Sequence, residues 1–395
     1  MDQKHTDQVP YAYFIDSVKG IGRKHASILL EEYGTPENAW RASEKELLQL
    51  LGEKRTAAWK MRKKDWDIQE EYEKLLKRGI RFLYSQDPAY PQRLKNIPDP
   101  PFALYVRGGV PEDNRPSAAV IGARRCSPYG RGVAEELGRE LAAAGIQVVS
   151  GLALGVDGIS QRAAAQQGGP TFGVLGCGVD ICYPPSHQTL YQALLRCGGV
   201  LSEYLPGTQP RPELFPPRNR IISGLADAVV VVEARRQSGT LITVDMALEQ
   251  GREIYCVPGR VTDRLSDGCN RLISQGAGVV LSVEDLLEKL SAGWNRAAAG
   301  TPAENESGEN KPGENEAIRN APSQKDAAGG LGRRERALWE LLDYTPAPVQ
   351  QLYIQMSAMP GMGQLTLQEM MELLLELTLK GKVENVSGSY YAKKM

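Results

Sequence analysis

Val120-Ile121-Gly122-Ala123-Arg124-Arg125-Cys126-Ser127-Pro128 is an apolar run that stops at a glycine, turns through two arginines and reaches a serine–proline pair. The run reads as a buried strand ending at Gly122. Ser127 suits a helix N-cap and Pro128 the first helical position, so a helix starts there. The same texture continues on the C-terminal side. Short apolar runs fall at 148–149, 172–175, 200–201, 228–232, 254–257 and 279–281, and amphipathic segments such as 133–144 and 242–250 separate most of them. Strands apolar on both faces, alternating with helices, predict an α/β fold: an extended Rossmann-like, mainly parallel sheet over residues 79–290.

The flanks differ in composition. Residues 1–78 are charged, with spaced apolar positions, and predict a small helical domain. The stretch 80–109 is rich in proline (Pro88, Pro91, Pro98, Pro100, Pro101) and reads as an extended bridge packed on the next domain. Residues 291–332 are Ala, Glu, Asn, Gly and Pro with almost no large apolar side chains, which predicts a disordered linker. Residues 333–395 regain helical periodicity at 337–342 and 367–379, then end in a hairpin-like stretch. This order is the pattern of a winged-helix domain.

Bulk composition excludes several classes. With 47 Lys and Arg against 48 Asp and Glu, the chain carries no global basic signal, so a polyanion site must be a local patch. None of the six cysteines forms C-x-x-C and there are three histidines, so neither a metal nor a disulfide framework is expected. The polar N-terminus carries no signal peptide and no run spans a membrane, which predicts a cytoplasmic protein without membrane contact.

Free N–H groups at a helix start attract phosphate, and a neighbouring guanidinium reinforces them. Gly122, Arg124 and Ser127 form one such candidate, and Gly151 with Arg162 repeats the logic after the next strand. Phe215-Pro216-Pro217-Arg218-Asn219-Arg220, with Arg211 upstream, places a stacking face beside cations, the pair of features that a single strand needs. The competing structural reading buries Phe215 and pairs Arg218 or Arg220 with Glu203, Glu213 or Glu233. Gln237-Ser238-Gly239-Thr240 offers hydroxyls and amides at a further helix start. Several anion cradles along the carboxyl ends of one sheet suit a polymer better than a mononucleotide. Neither a dinucleotide fingerprint nor a P-loop is present, and no nucleotide cofactor is expected.

Taken in order, these motifs resemble the DNA-processing protein A family (DprA/Smf). They include Gly122-Ala123-Arg124, Ser150-Gly151-Leu152-Ala153, Gly155-Val156-Asp157, Tyr183-Pro184, Phe215 to Arg220, Ser238 to Thr243 and Asn270-Arg271-Leu272-Ile273. The resemblance implies a non-enzymatic protein that binds and protects single-stranded DNA and loads RecA recombinase during natural transformation. It further implies a homodimer; single-strand-binding protein is a second candidate partner. By the same resemblance Arg124 looks like the phosphate-pocket arginine, and Phe215 with 218–220 like the strand-contacting segment. One departure stands out: Ser160-Gln161 replaces the usual Ala-His. Val18-Lys19-Gly20-Ile21-Gly22 resembles a helix-hairpin-helix or sterile-alpha-motif segment.

The alternative is a nucleotide-processing phosphoribohydrolase-like enzyme. Its motif needs a glutamate where this chain has Thr243, and a threonine supplies no carboxylate base. A winged-helix transcription factor is disfavoured because helix 364–380 carries Glu369, Glu372 and Glu376, which fit a DNA groove poorly; protein contact suits it better.

Overall fold

The computed structural model describes residues 7–298, 332–342, 347–357, 359, 366–387 and 390–394. The chain divides into two units, Met1–Thr301 and Pro302–Met395. The first opens with helices α1 (Val9–Ser17), α2 (Arg23–Tyr33), α3 (Pro36–Arg41), α4 (Glu44–Leu51), α5 (Glu53–Lys64) and α6 (Ile68–Lys77). Short side chains at the helix starts fix their boundaries. Ser43 and Glu46 close a capping box on α4, and Asp67 accepts the free N–H groups of Gln69 and Glu70 on α6. Phe14 forms the centre of the packing, edge-on to Trp40 at 4.3 Å and to Trp59 at 4.8 Å.

The sheet follows: β1 (Arg81–Tyr84), helix α7 (Gln92–Lys95), β2 (Ala103–Gly108), β3 (Ser117–Ile121), α8 (Pro128–Ala143), β4 (Gln147–Ser150), α9 (Val156–Gln166) and β5 (Thr171–Val174). It continues with α10 (Gln188–Cys197), β6 (Gly199–Ser202), α11 (Phe215–Gly224), β7 (Ala228–Val231), α12 (Gly239–Glu249), β8 (Glu253–Cys256), α13 (Asp267–Ser274), β9 (Gly278–Val279) and α14 (Val283–Ala298). The nine strands lie in the order β1-β2-β6-β5-β4-β3-β7-β8-β9. From β6 to β9 neighbours run parallel; β1 and β2 add an antiparallel edge. Period-two alternation sends apolar residues to both faces. Ala118, Val120, Ala228 and Val230 pack against α8, α9 and α14, while Ala119, Ile121, Val229 and Val231 pack against α11, α12 and α13.

Two expectations change. The proline-rich stretch 80–109 is no simple bridge, because it holds β1 and β2, and β2 pairs directly with β6. Its prolines lie between the strands, so they interrupt the sequence pattern without interrupting the ladder. Helix α14 runs on to Ala298, into the segment expected to be linker; residues 299–331 lie outside the described residues. The opening helices also share one hydrophobic cluster with the sheet, where Tyr13 meets Phe82 at 5.5 Å and Tyr105 at 6.2 Å.

The second unit contains α15 (Arg333–Leu341), β10 (Ala347–Pro348), α16 (Val349–Ser357), α17 (Leu367–Leu379), β11 (Val383–Ser387) and β12 (Tyr390–Lys393). Strand β12 lies between β10 and β11 and is antiparallel to both. Leu338, Leu352, Met356, Met370, Leu374 and Leu377 form its core.

Asp16 of α1 meets the sheet edge, where its carboxylate accepts a hydrogen bond of 2.6 Å from the Tyr105 hydroxyl. Burial pushes this carboxyl up to about 7, against the Tyr105 bond, which lowers it. The native state therefore holds a proton that the unfolded chain releases, between the ordinary carboxylate range and pH 7. The stability this proton confers is lost as pH rises through that window. Thermal unfolding should show the melting temperature of wild type minus that of Asp16→Asn falling from about pH 4 to about pH 7 and levelling off above. A flat difference would refute the assignment.

Candidate functional site

Strands β3 to β6 are laid down in one direction across the sheet, and β7 begins again on the other side of β3. At such a switch point the loops leaving two neighbouring strands diverge and open a crevice at their carboxyl ends. A cleft of about 710 Å³ occupies this place, lined by the turns after β3 and β7, the start of α12 and the segment 210–222.

Phe215 forms its floor. Pro216 and Pro217 occupy the first turn of α11, where their missing N–H groups leave no hydrogen bond unmade. The half-buried ring lies 5.4 Å from the ring of Tyr183 at 38°. The guanidinium carbons of Arg124 and Arg218 lie 5.8 Å and 5.9 Å from its centroid. An aromatic face bordered by cations is suited to a nucleobase joined to phosphate.

The two cations are different in kind. Arg124 is exposed and makes no ion pair among the described residues. Arg218 is 4% exposed, and its Nη1 donates to Gly151 O at 2.9 Å and also to Val174 O. Burial lowers Arg218 to about 10, while the nearby Asp157 carboxylate raises it. Asp157 accepts the Gly151 N–H at 3.0 Å; burial pushes its carboxyl up, and Arg218 and the N–H groups of Gly151 and Gly122 lower it.

On the far side, Ser238 is the N-cap of α12, yet its hydroxyl makes no capping bond and, though buried, has no hydrogen-bond partner. Ser238, Gly239 and Thr240 all line the cleft, so the start of α12 borders it.

The cleft thus brings together Gly122, Arg124, Arg211, Phe215, Arg218, Asn219, Ser238, Gly239 and Thr240. The structure places the other expected residues outside the cleft lining. Ser127 does cap α8, but the anion at that helix start is internal: Glu233, 1% exposed, accepts the Ser127 N–H at 2.9 Å and the Ser127 hydroxyl. Gly151 does not line the cleft; a Cβ there would stand 2.8 Å from both the Arg218 guanidinium and the Asp157 carboxylate, so its smallness serves that contact. Arg220 is buried and bidentate on Glu203 at 2.7 and 2.6 Å, with Asp99 at 2.9 Å, as the competing structural reading anticipated. Arg162 and Gln237 are exposed and lie outside the lining.

The cleft also holds Arg125, Tyr183 and Arg235, which the sequence reading did not single out as site residues. Tyr183 had a signal, an aromatic residue in Tyr183-Pro184 just after the glycine turn 176–180. Gln161, the departure noted above, is fully buried: its side chain accepts Leu152 N–H at 3.1 Å and donates to Phe172 O at 2.9 Å. Among the described residues no group of His, Cys, Asp and Glu could hold a metal ion, and no helix is long and apolar enough to cross a membrane.

Fold and cleft together define a Rossmann-like α/β protein with a cationic, aromatic-floored site at its switch point. The model of the DNA recombination-mediator protein A family matches residues 81–291, more than half of the chain, and the chain belongs to this family. The DNA processing protein DprA of Streptococcus pneumoniae is 43% identical over 201 residues, covering 51% of this chain and 71% of the relative. Protein Smf of Synechocystis is 35% identical over 298 residues, 71% of this chain and 73% of the relative. The X-ray structure of DprA from Streptococcus pneumoniae aligns with a TM-score of 0.59 at 33% identity, over 71% of this chain and 97% of that one.

Breaking a buried ion pair strands a charge, so Arg220→Ala should lower unfolding free energy by about 3–5 kcal/mol in denaturant titrations. Arg162→Glu should leave stability within about 0.5 kcal/mol, as for other exposed positions.

Proposed function

We propose that this protein binds and protects single-stranded DNA in the switch-point cleft, without catalysis. The observation that carries this reading is the Phe215 ring, which stacks toward Tyr183 and is bordered by the exposed Arg124. The cations that line the cleft without an ion pair among the described residues (Arg124, Arg125 and Arg235) favour a polyanion over a single small anion. The reading as a hydrolase finds little support. Thr243 lines the cleft where the glutamate would be needed, and Asp157 is held by the Gly151 N–H beside Arg218.

Family membership supports a place in recombination-linked DNA processing. From it we further infer a cytoplasmic homodimer that helps to load RecA onto the bound strand during natural transformation, with single-strand-binding protein as a second candidate partner. The C-terminal unit is read as a winged helix that contacts protein: the N-terminal half of α17 and its exposed face carry Glu369, Glu372 and Glu376, which repel phosphate.

Anisotropy of a fluorescent poly-dT oligonucleotide tests the reading. Four phosphates neutralised at about 0.7 each give a log–log salt slope near about −2.8. Phe215→Ala should cost about 1–3 kcal/mol of binding, the range for one base stack. Arg124→Glu should weaken binding further and flatten the slope. Binding that is indifferent to both substitutions would move the site out of the cleft.

A further inference from the structure

The cleft has an aromatic side, at Phe215 and Tyr183, and an opposite shoulder where β7 and β8 end. Arg125 and Arg235 line the cleft, Arg236 follows, and Arg264 precedes Leu265, itself a lining residue. All four arginines are exposed, and none makes an ion pair among the described residues.

Backbone hydrogen bonds join the segment of Arg235 and Arg236 to that of Arg264: Ala234 N–H donates to Leu265 O and Gly268 N–H to Ala234 O, both at 2.8 Å. The loop that carries Arg264 is held in place. Asn270 accepts Gly259 N–H at 3.2 Å and donates to Gly259 O at 3.0 Å, and the Tyr129 hydroxyl of α8 donates to Pro258 O at 3.0 Å. Two of the neighbouring carboxylates are already engaged: Asp263 accepts Leu265 N–H at 3.0 Å, and Glu233 is bonded to Ser127. The arginines' charge therefore faces solvent on a preorganised surface. Segments 233–240 and 257–268 contain no aromatic residue and Tyr129 is tied by its hydroxyl to Pro258 O, so these two segments contribute cations for phosphates rather than rings for bases.

We propose that this shoulder is a second subsite, a phosphate track that takes the single strand where it leaves the cleft. The inference rests on the cleft being the strand's stacking site. Arg236 and Arg264 lie outside the cleft lining, so only a strand longer than the cleft reaches them.

The test compares oligo-dT of about six nucleotides, within the range that one small site covers, with oligo-dT of about thirty. Arg236→Glu/Arg264→Glu should bind the short oligonucleotide within about twofold of wild type and the long one at least about tenfold more weakly. With the milder Arg236→Gln/Arg264→Gln, the salt slope on the long oligonucleotide should shrink by about 1.4, from two phosphates at about 0.7 each. Arg162→Glu changes the net charge by as much as Arg236→Gln/Arg264→Gln, so it controls for charge in that variant and should not separate the two lengths. Wild-type binding of both lengths by either double variant, equal loss on both, or the same length dependence in the control overturns the track. Arg124→Glu on the short oligonucleotide examines the cleft separately. If it binds normally, the cleft reading fails and the track, as its continuation, fails with it; if it weakens the short oligonucleotide while the double variants bind both lengths like wild type, the track alone fails.

Discussion

The Arg218 guanidinium, buried at the carboxyl ends of the sheet, donates to the carbonyl of Gly151 after β4 and to that of Val174 in β5. A buried cation is tolerated only where its donors are satisfied and an opposite charge is near, and Asp157 supplies that charge. This contact holds α11 against two strand ends and so sets the position of Phe215, three residues earlier in the same helix. It also accounts for Gly151, since any side chain there would strike the guanidinium or the carboxylate. The most ligand-like motif in the chain is thus half scaffold: Arg218 and Arg220 anchor, and Phe215 and Asn219 face the cleft.

A second constraint acts across the switch point. Glu233 leaves β7 and lodges on the first turn of α8, where a phosphate could otherwise have bound. Filling that helix start internally fixes the turn 122–127 and leaves Arg124 and Arg125 projecting from it. The start of α12 is treated differently: its N-cap hydroxyl makes no capping bond, and Ser238, Gly239 and Thr240 line the cleft. Two helix starts with similar sequence signals therefore differ: one is satisfied within the fold by Glu233 and the other borders the cleft.

Much of the architecture was legible in the sequence. Runs such as 118–121 and 228–231 are apolar at every position, and burial on both faces of a parallel sheet is the physical reason. Glycine turns and Ser127 before Pro128 marked where strands end and helices begin, because backbone geometry and capping are local. Strands β1 and β2 escaped notice because their pairing, to each other and to β6, is non-local.

By itself the sequence determined the fold class, the strand-to-helix turns and the segments that border the cleft. Only the tertiary structure decided which cations are free. Arg124 and Arg220 have the same chemistry, but one has no carboxylate partner among the described residues and the other is bidentate on Glu203, a residue 17 positions away. Tyr183 joins Phe215 from a different loop for the same reason. Ion pairs and ring contacts form through space, and the sequence around an arginine does not say which carboxylate the fold will bring to it.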